Sequence, residues 1–258
     1  MGIGETLDAA VRLYRANWKT MMLIVAVVSV PFTVIQNLAI NAVQHPFVIN
    51  DQTFIQNRGL AVIWLFLGLY YLLLAPILRG AVVRVVAGIY LGERTTASQS
   101  LQFALTKFAP LLVALILSGL LIALGFIALI VPGIILWIRY QFVVPAVVVE
   151  GAGGTAALGR SWRLSKGRSW PIFATLFLAG LITAVISAIL AIPGLILAAN
   201  GGATTTGWII RAVFSSIAQV ITTPFVSTVG VLLYFDARIR KEAFDLAVMA
   251  REVGSVGP

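Results

Sequence analysis

Six long runs of apolar residues, at about 20–43, 59–78, 109–130, 134–149, 171–192 and 207–235, contain no aspartate or glutamate. About 20 apolar residues in a helix cross the hydrocarbon of a bilayer. Within hydrocarbon a backbone must satisfy its own polar groups, so each run is predicted to be a helix. A soluble alternative fails on composition. Of the 258 residues, 60% are hydrophobic and 10% charged, whereas a soluble domain is about 45–50% apolar and about 25% charged. Too little polar surface remains to cover a globule in water. The expected fold is all-α: a polytopic membrane helical bundle of six transmembrane helices.

Polar sequence fills the gaps in a repeating way. A short amphipathic segment precedes the first, third and fifth runs: TLDAAVRLYRANW, SLQFALTKF and ALGRSWRLSKGRSW. Within residues 1–19, Ile3, Leu7, Ala10, Val11, Tyr14 and Trp18 share one arc at helical spacing, with Glu5, Asp8, Arg12, Arg15 and Lys19 on another. The pattern predicts a helix lying in the membrane interface. In the second segment Ala97, Leu101, Ala104, Leu105 and Phe108 share a face; in the third, Leu158 and Trp162 do. Three copies of amphipathic helix plus hairpin are expected, with prolines marking bends at Pro31, Pro76 and Pro224 and turns at Pro132-Gly133 and Pro193-Gly194. Residues 236–258 are expected to continue the last helix as a cytoplasmic tail, with Ile239, Ala243, Leu246 and Ala250 on one stripe.

Charge orients the bundle. Of the 18 Lys and Arg, 16 fall on the N-terminal arm, the second-to-third and fourth-to-fifth connections, and the tail; only Arg58 and Arg211 fall on the other side. Basic residues collect on cytoplasmic loops, so both termini are expected in the cytoplasm and the protein in the cell membrane. The net charge of +9 then meets anionic head groups rather than nucleic acid, since no basic domain stands outside the apolar runs. Arg12, Arg15, Lys19, Arg160, Arg163, Lys166 and Arg168 are the expected head-group contacts. Arg79 and Arg84 are expected to snorkel at and beyond the inner boundary. Glu5 and Asp8 interrupt any signal-peptide pattern, so the first span is expected to remain as an anchor.

Little here can do covalent chemistry. The chain has no cysteine and a single histidine, His45. Thiolate metal sites and cysteine nucleophiles are excluded, and a serine relay would have only a loop histidine to use. Neither cofactor nor metal is expected. Gly151-Ala152-Gly153-Gly154-Thr155 looks like a phosphate loop but follows a span rather than a strand, so it is expected to be a flexible link. The conspicuous polar position is Arg139, beside Tyr140 and Gln141 inside the fourth run. An arginine mid-span costs roughly 2.5–3.5 kcal/mol on insertion scales. Two readings stand side by side: an anion or head-group site or pathway, or a structural role, either paired with Asp236 or Glu150 or snorkelling.

The blocks PGIILWIRYQFVVPAVVVEGAGGTAALGRSWRLSKGRSW, LLYFDARIRKEAFDL and IGETLDAAVRLYRANWKTMM resemble the glycerophosphoryl diester phosphodiesterase membrane-domain family and its relatives of unknown function, frequent in actinobacteria. Ala243 and Phe235 are mild departures from that pattern. The resemblance implies a multi-span helical domain. The phosphodiesterase barrel to which such domains are fused has no counterpart here, so its activity is not implied. The expectation is a non-enzymatic membrane module of the cell envelope, binding lipid or a membrane-protein partner. The alternative is a small transporter or flippase for an anionic or lipid substrate. A polar cavity touching Arg139 would favour transport, and an Arg139–carboxylate pair in a closed bundle would favour the module.

Overall fold

The computed structural model describes residues 2–44, 52–93, 95–199 and 205–254. His45, Arg94 and residues 200–204 lie outside the described residues, as do the side chains of Asn37, Asn41, Arg58 and Arg211 and those beyond Glu242. Among the described residues every regular element is helical. In chain order they are α1 (Ile3–Gln44), α2 (Gln52–Leu69), a π-helical turn (Tyr70–Leu74), α3 (Ala75–Tyr90), α4 (Ala97–Thr106), α5 (Phe108–Ala128), α6 (Ile130–Arg139), α7 (Val143–Glu150), α8 (Gly154–Ser165), α9 (Ser169–Ala199) and α10 (Thr205–Gly254). Six segments are long and apolar enough to cross a membrane. The order is the expected one, an amphipathic helix ahead of each hairpin.

The spans bend where backbone chemistry requires it, and not always at the predicted prolines. Pro31 sits inside α1, whose non-helical residue is Asn17 (φ −130, ψ 18), at the join between amphipathic arm and span. The Asn17 side chain donates to the Leu13 carbonyl at 3.3 Å, a local bond that competes with the helix ladder. The second span carries its irregularity just before Pro76. The Ala75 N–H donates to the Tyr70 carbonyl, a five-residue step that absorbs the crowding a proline imposes on the preceding turn. Pro193 was expected to end the fifth span, but α9 runs through it to Ala199. Prolines are tolerated inside membrane helices, where neighbours and local adjustments re-satisfy the backbone.

The fourth span departs most from expectation. The outer turn is not at Pro132-Gly133 but at Leu129, which is extended (φ −167, ψ 157). Pro132 enters the first turn of α6, where a missing N–H leaves nothing unmade. Gly133 then lies against Phe126, close enough that an added Cβ would sit 2.4 Å from the ring. Gly133→Ala is therefore expected to destabilise the hairpin by about 1–3 kcal/mol through overpacking. The midpoint of thermal unfolding in detergent measures this, and an unchanged midpoint would show that the ring gives way freely. Further on, residues 134–149 are not one helix: α6 stops at Arg139, and α7 starts at Val143.

Packing divides the molecule into two zones. At one end, Val82, Val85 and Val86 of α3, Ala146 and Val147 of α7, and Leu232 and Tyr234 of α10 are fully buried. Tyr90 stacks on Phe235 at 4.5 Å there, tying the end of α3 to α10. Toward the other end, apolar side chains face outward: Trp64 is 68% exposed, Ile127 80% and Leu129 68%. The contrast follows from the solvent. Burying a Val or Leu away from water contributes about 1.5–3 kcal/mol. In hydrocarbon that drive vanishes, so lipid-facing helices need not close on one another.

The amphipathic helices dock on the bundle with faces rotated from the predicted ones. In the N-terminal arm Thr6 and Ala10 are buried, while Ile3, Val11 and Trp18 of the expected arc are exposed. Tyr14 turns inward, donating to the Ile221 carbonyl at 3.1 Å in the turn that precedes Pro224. In α8 the buried stripe is Ala157, Ser161, Leu164 and Ser165, while Trp162 is 39% exposed. Small and hydroxyl-bearing residues make this face because it meets another backbone at close range, as the next section shows.

Candidate functional site

The break between α6 and α7 organises the site. A non-helical turn at membrane depth leaves backbone groups without helical partners. Here α8 supplies them. The Ser161 hydroxyl donates to the Arg139 carbonyl at 2.7 Å and accepts from the Phe142 N–H at 3.1 Å. The Ser165 hydroxyl lies 3.3 Å from the same carbonyl and 2.9 Å from the Ser161 carbonyl of its own helix. Both serines are completely buried. One amphipathic helix is thereby fastened across the open ends of a split span.

The break decides where Arg139 goes, and the paired reading is overturned. Its guanidinium lies over the Trp162 ring, 5.0 Å from the centroid, and Nε and Nη1 are buried with no hydrogen-bond partner. Tyr140 also approaches Trp162, at 6.0 Å between centroids. Neither proposed carboxylate reaches Arg139, because other arginines hold both. Glu150 accepts from Arg160 Nε at 2.7 and 2.9 Å and from the Tyr234 hydroxyl, with Arg238 at 3.9 Å. Asp236 accepts from Arg168 at 2.8 Å and from Arg240 at 3.0 Å. The physical reason is reach. The middle of α8 delivers Arg160 and the link between α8 and α9 delivers Arg168 to the carboxylates, while the turn at 140–142 directs Arg139 toward the aromatic face.

Around these pairs the basic residues converge. Arg160 also bonds Glu242, which holds Arg238 at 2.8 Å, so one guanidinium links α7 to α10. The Glu150 and Glu242 hydrogen bonds outweigh partial burial and hold the Arg160 guanidinium above its ordinary pKa, which keeps its charge permanent. Lys241 donates to the Arg163 carbonyl. The result is a cleft of about 520 Å³ lined by Arg160, Arg163, Leu164, Lys166, Arg168, Arg240, Lys241 and Glu242. Four of the expected head-group contacts, Arg160, Arg163, Lys166 and Arg168, meet here. Arg12, Arg15 and Lys19 do not line it; they remain exposed along the N-terminal arm, with Lys19 5.8 Å from the Trp18 ring. Arg240, Lys241 and Glu242 were missed as site residues. The signal was present, since Asp236/Arg240 and Arg238/Glu242 are opposite charges four apart on a helix, but nothing in the sequence places them beside α8.

The glycine run is not a phosphate loop. Gly151, at φ +68, caps α7 in the left-handed conformation, and the Ala152 N–H returns to the Ala146 carbonyl at 3.3 Å. That is a helix stop, which glycine favours because it lacks a Cβ.

A second polar space lies deeper. A cavity of about 430 Å³ opens at the break, lined by Tyr140 and Gln141, by Arg79 from α3, and by Ser118, Thr183, Thr222, Thr223 and Ser227 among others. Arg79 is exposed and contributes to this lining. Arg84, by contrast, pairs with Glu93 at 3.2 Å and covers the Phe103 ring at 5.1 Å. The cavity takes in Tyr140 and Gln141 without Arg139, so the three neighbouring polar residues divide between two environments.

Residues 59–237, which carry both spaces except for the tail's part of the cleft, match the family model described as Domain of unknown function (DUF7847). The chain belongs to this family. No curated protein and no solved structure matches it. The DUF7847 match includes the split span, α8 and Asp236, and it stops short of Arg238.

Proposed function

We propose that this DUF7847 member is a non-enzymatic integral membrane module of the cell envelope that holds anionic lipid head groups in the basic cleft. The observation that carries the reading is the excess of cation over carboxylate there. Arg160, Arg168 and Arg240 are engaged with Glu150, Asp236 and Glu242. Arg163 and Lys166 have no carboxylate partner among the described residues and line the same cleft. Fixed carboxylates thus hold the inner cations in place and leave the outer ones to bind phosphate. The proposed orientation puts the cleft on the cytoplasmic side, against anionic lipid, with both termini there.

The test compares lipids retained by the wild type and by an Arg163→Gln/Lys166→Gln variant. Both are purified in mild detergent from nanodiscs of mixed phosphatidylglycerol and phosphatidylcholine. A cation near a membrane surface contributes about 1 kcal/mol toward anionic lipid. Losing two should reduce the phosphatidylglycerol preference roughly thirtyfold. Equal lipid ratios in the two proteins would reject the reading.

A further inference from the structure

The cavity at the break has a chemistry of its own, at different residues and a different depth from the cleft. We propose that it is a binding site for a hydroxylated oxyanion, a phosphate or carboxylate, gripped by Arg79 and oriented by Gln141 and Tyr140.

The charge argument comes first. Arg79 brings the cavity's one cation, and no carboxylate lines it. Among the described residues Arg79 makes no ion pair and no hydrogen bond; its electrostatic neighbour is the phenol of Tyr70. A guanidinium offers a planar fork of donors that matches an oxyanion. Arg79 is exposed, so an incoming oxyanion reaches the fork without displacing a protein partner.

The hydroxyl lining specifies the rest of the ligand. Ser118 donates to the Leu115 carbonyl at 3.2 Å, Thr222 to Ala218 at 2.8 Å, and Ser227 to Thr223 at 2.9 Å. Each hydroxyl has spent its proton on its own helix and retains lone pairs. Such a lining accepts hydrogen bonds from hydroxyls on a ligand, while Arg79 and the Gln141 amide donate to its anion. The volume of about 430 Å³ lies within the range of small-molecule sites.

The backbone gives an independent indication. Two spans abandon regular helix near the cavity: the turn at 140–142 supplies Tyr140 and Gln141, and the π turn at Tyr70–Leu74 precedes Arg79 by one helical turn. The Tyr70 hydroxyl lies 3.5 Å from Gln219 Nε2 of α10. Irregular backbone at membrane depth persists where protein buries it or where it borders a polar cavity, and π turns cluster at functional sites. A site between interrupted helices is also what a small transporter requires; occupancy, not passage, is inferred here.

The test uses the full chain, delipidated in neutral detergent at matched ionic strength. It is titrated with inorganic phosphate, with glucose 6-phosphate as a soluble hydroxylated anion, and with dioctanoyl phosphatidylglycerol against dioctanoyl phosphatidylcholine. Thermal midpoint and tryptophan emission report binding, since Trp137 lines the cavity. Glucose 6-phosphate should bind if the natural source is soluble, and phosphatidylglycerol should bind if it is a lipid. In an Arg163→Gln/Lys166→Gln background, where the cleft contributes nothing, Arg79→Gln should weaken that binding at least about tenfold and Arg79→Lys should restore part of it. Should Arg79→Gln not fold, Thr223→Val becomes the deciding variant: it should weaken the hydroxylated probe and spare inorganic phosphate. No response to any anion, or a response that survives Arg79→Gln, overturns the site. A response abolished by Arg163→Gln alone assigns the anion to the cleft and likewise overturns it.

Discussion

Replacing Ser161 by alanine is expected to lower the stability of the bundle by about 2–4 kcal/mol. One hydroxyl serves two backbone groups of the split span, the Arg139 carbonyl and the Phe142 N–H. Each buried group left unsatisfied costs about 1–3 kcal/mol. The nearby Ser165 hydroxyl, 3.3 Å from the carbonyl, offsets part of one loss and none of the other. Ser161→Thr keeps the hydroxyl and should recover most of the stability, provided its methyl is accommodated. Equilibrium unfolding in mixed micelles measures both variants. If Ser161→Ala unfolds with the wild type, α8 does not fasten the break, and the position of Arg139 needs another cause.

Glu150→Gln is the second large effect, at about 3 kcal/mol. The carboxylate closes α7 and accepts from Arg160 of α8 and from Tyr234 of α10. Its side chain is 19% exposed, and that of Arg160 is 21% exposed. Removing the charge leaves the partly buried Arg160 guanidinium with Glu242 as its one carboxylate among the described residues. A double-mutant cycle with Arg160→Gln isolates the pair. The double variant is expected to be more stable than the sum of the single losses implies, because the second change removes the under-paired charge. Strict additivity would show that the carboxylate is a bystander. The same variant connects to function: with Arg160 held by Glu242 alone, the cleft wall is less firmly fixed, so its grip on phosphatidylglycerol should change along with its stability.

The cleft and the cavity are different solutions to placing charge near lipid. In the cleft, carboxylates on α7 and α10 hold Arg160 and Arg168 and, among the described residues, leave Arg163 and Lys166 without a carboxylate partner. In the cavity Arg79 stands among neutral groups, of which the hydroxyls of Ser118, Thr222 and Ser227 already donate to their own helices. The first suits a head group at the surface, where the charges face water and lipid together. The second needs a ligand to complete it.

Hydropathy and charge alone set the helical class, the six runs, the amphipathic segment ahead of each hairpin and the segregation of Lys and Arg. They do so because hydrocarbon forbids unpaired backbone and water forbids exposed oil, and both rules act on local composition. The same logic foresaw a continuous last helix through Asp236, which α10 shows. Only the tertiary structure decided what Arg139, Glu150 and Asp236 touch. A helix period places a residue on a face but says nothing about which helix lies opposite. The break at 140–142 was hidden as well, because Tyr140, Gln141 and Phe142 have no strong aversion to helix. Ser161, nineteen residues further along the chain, is what makes the interruption affordable. Contacts over such separations depend on how helices cross, and crossing is a property of the assembled bundle rather than of any one segment.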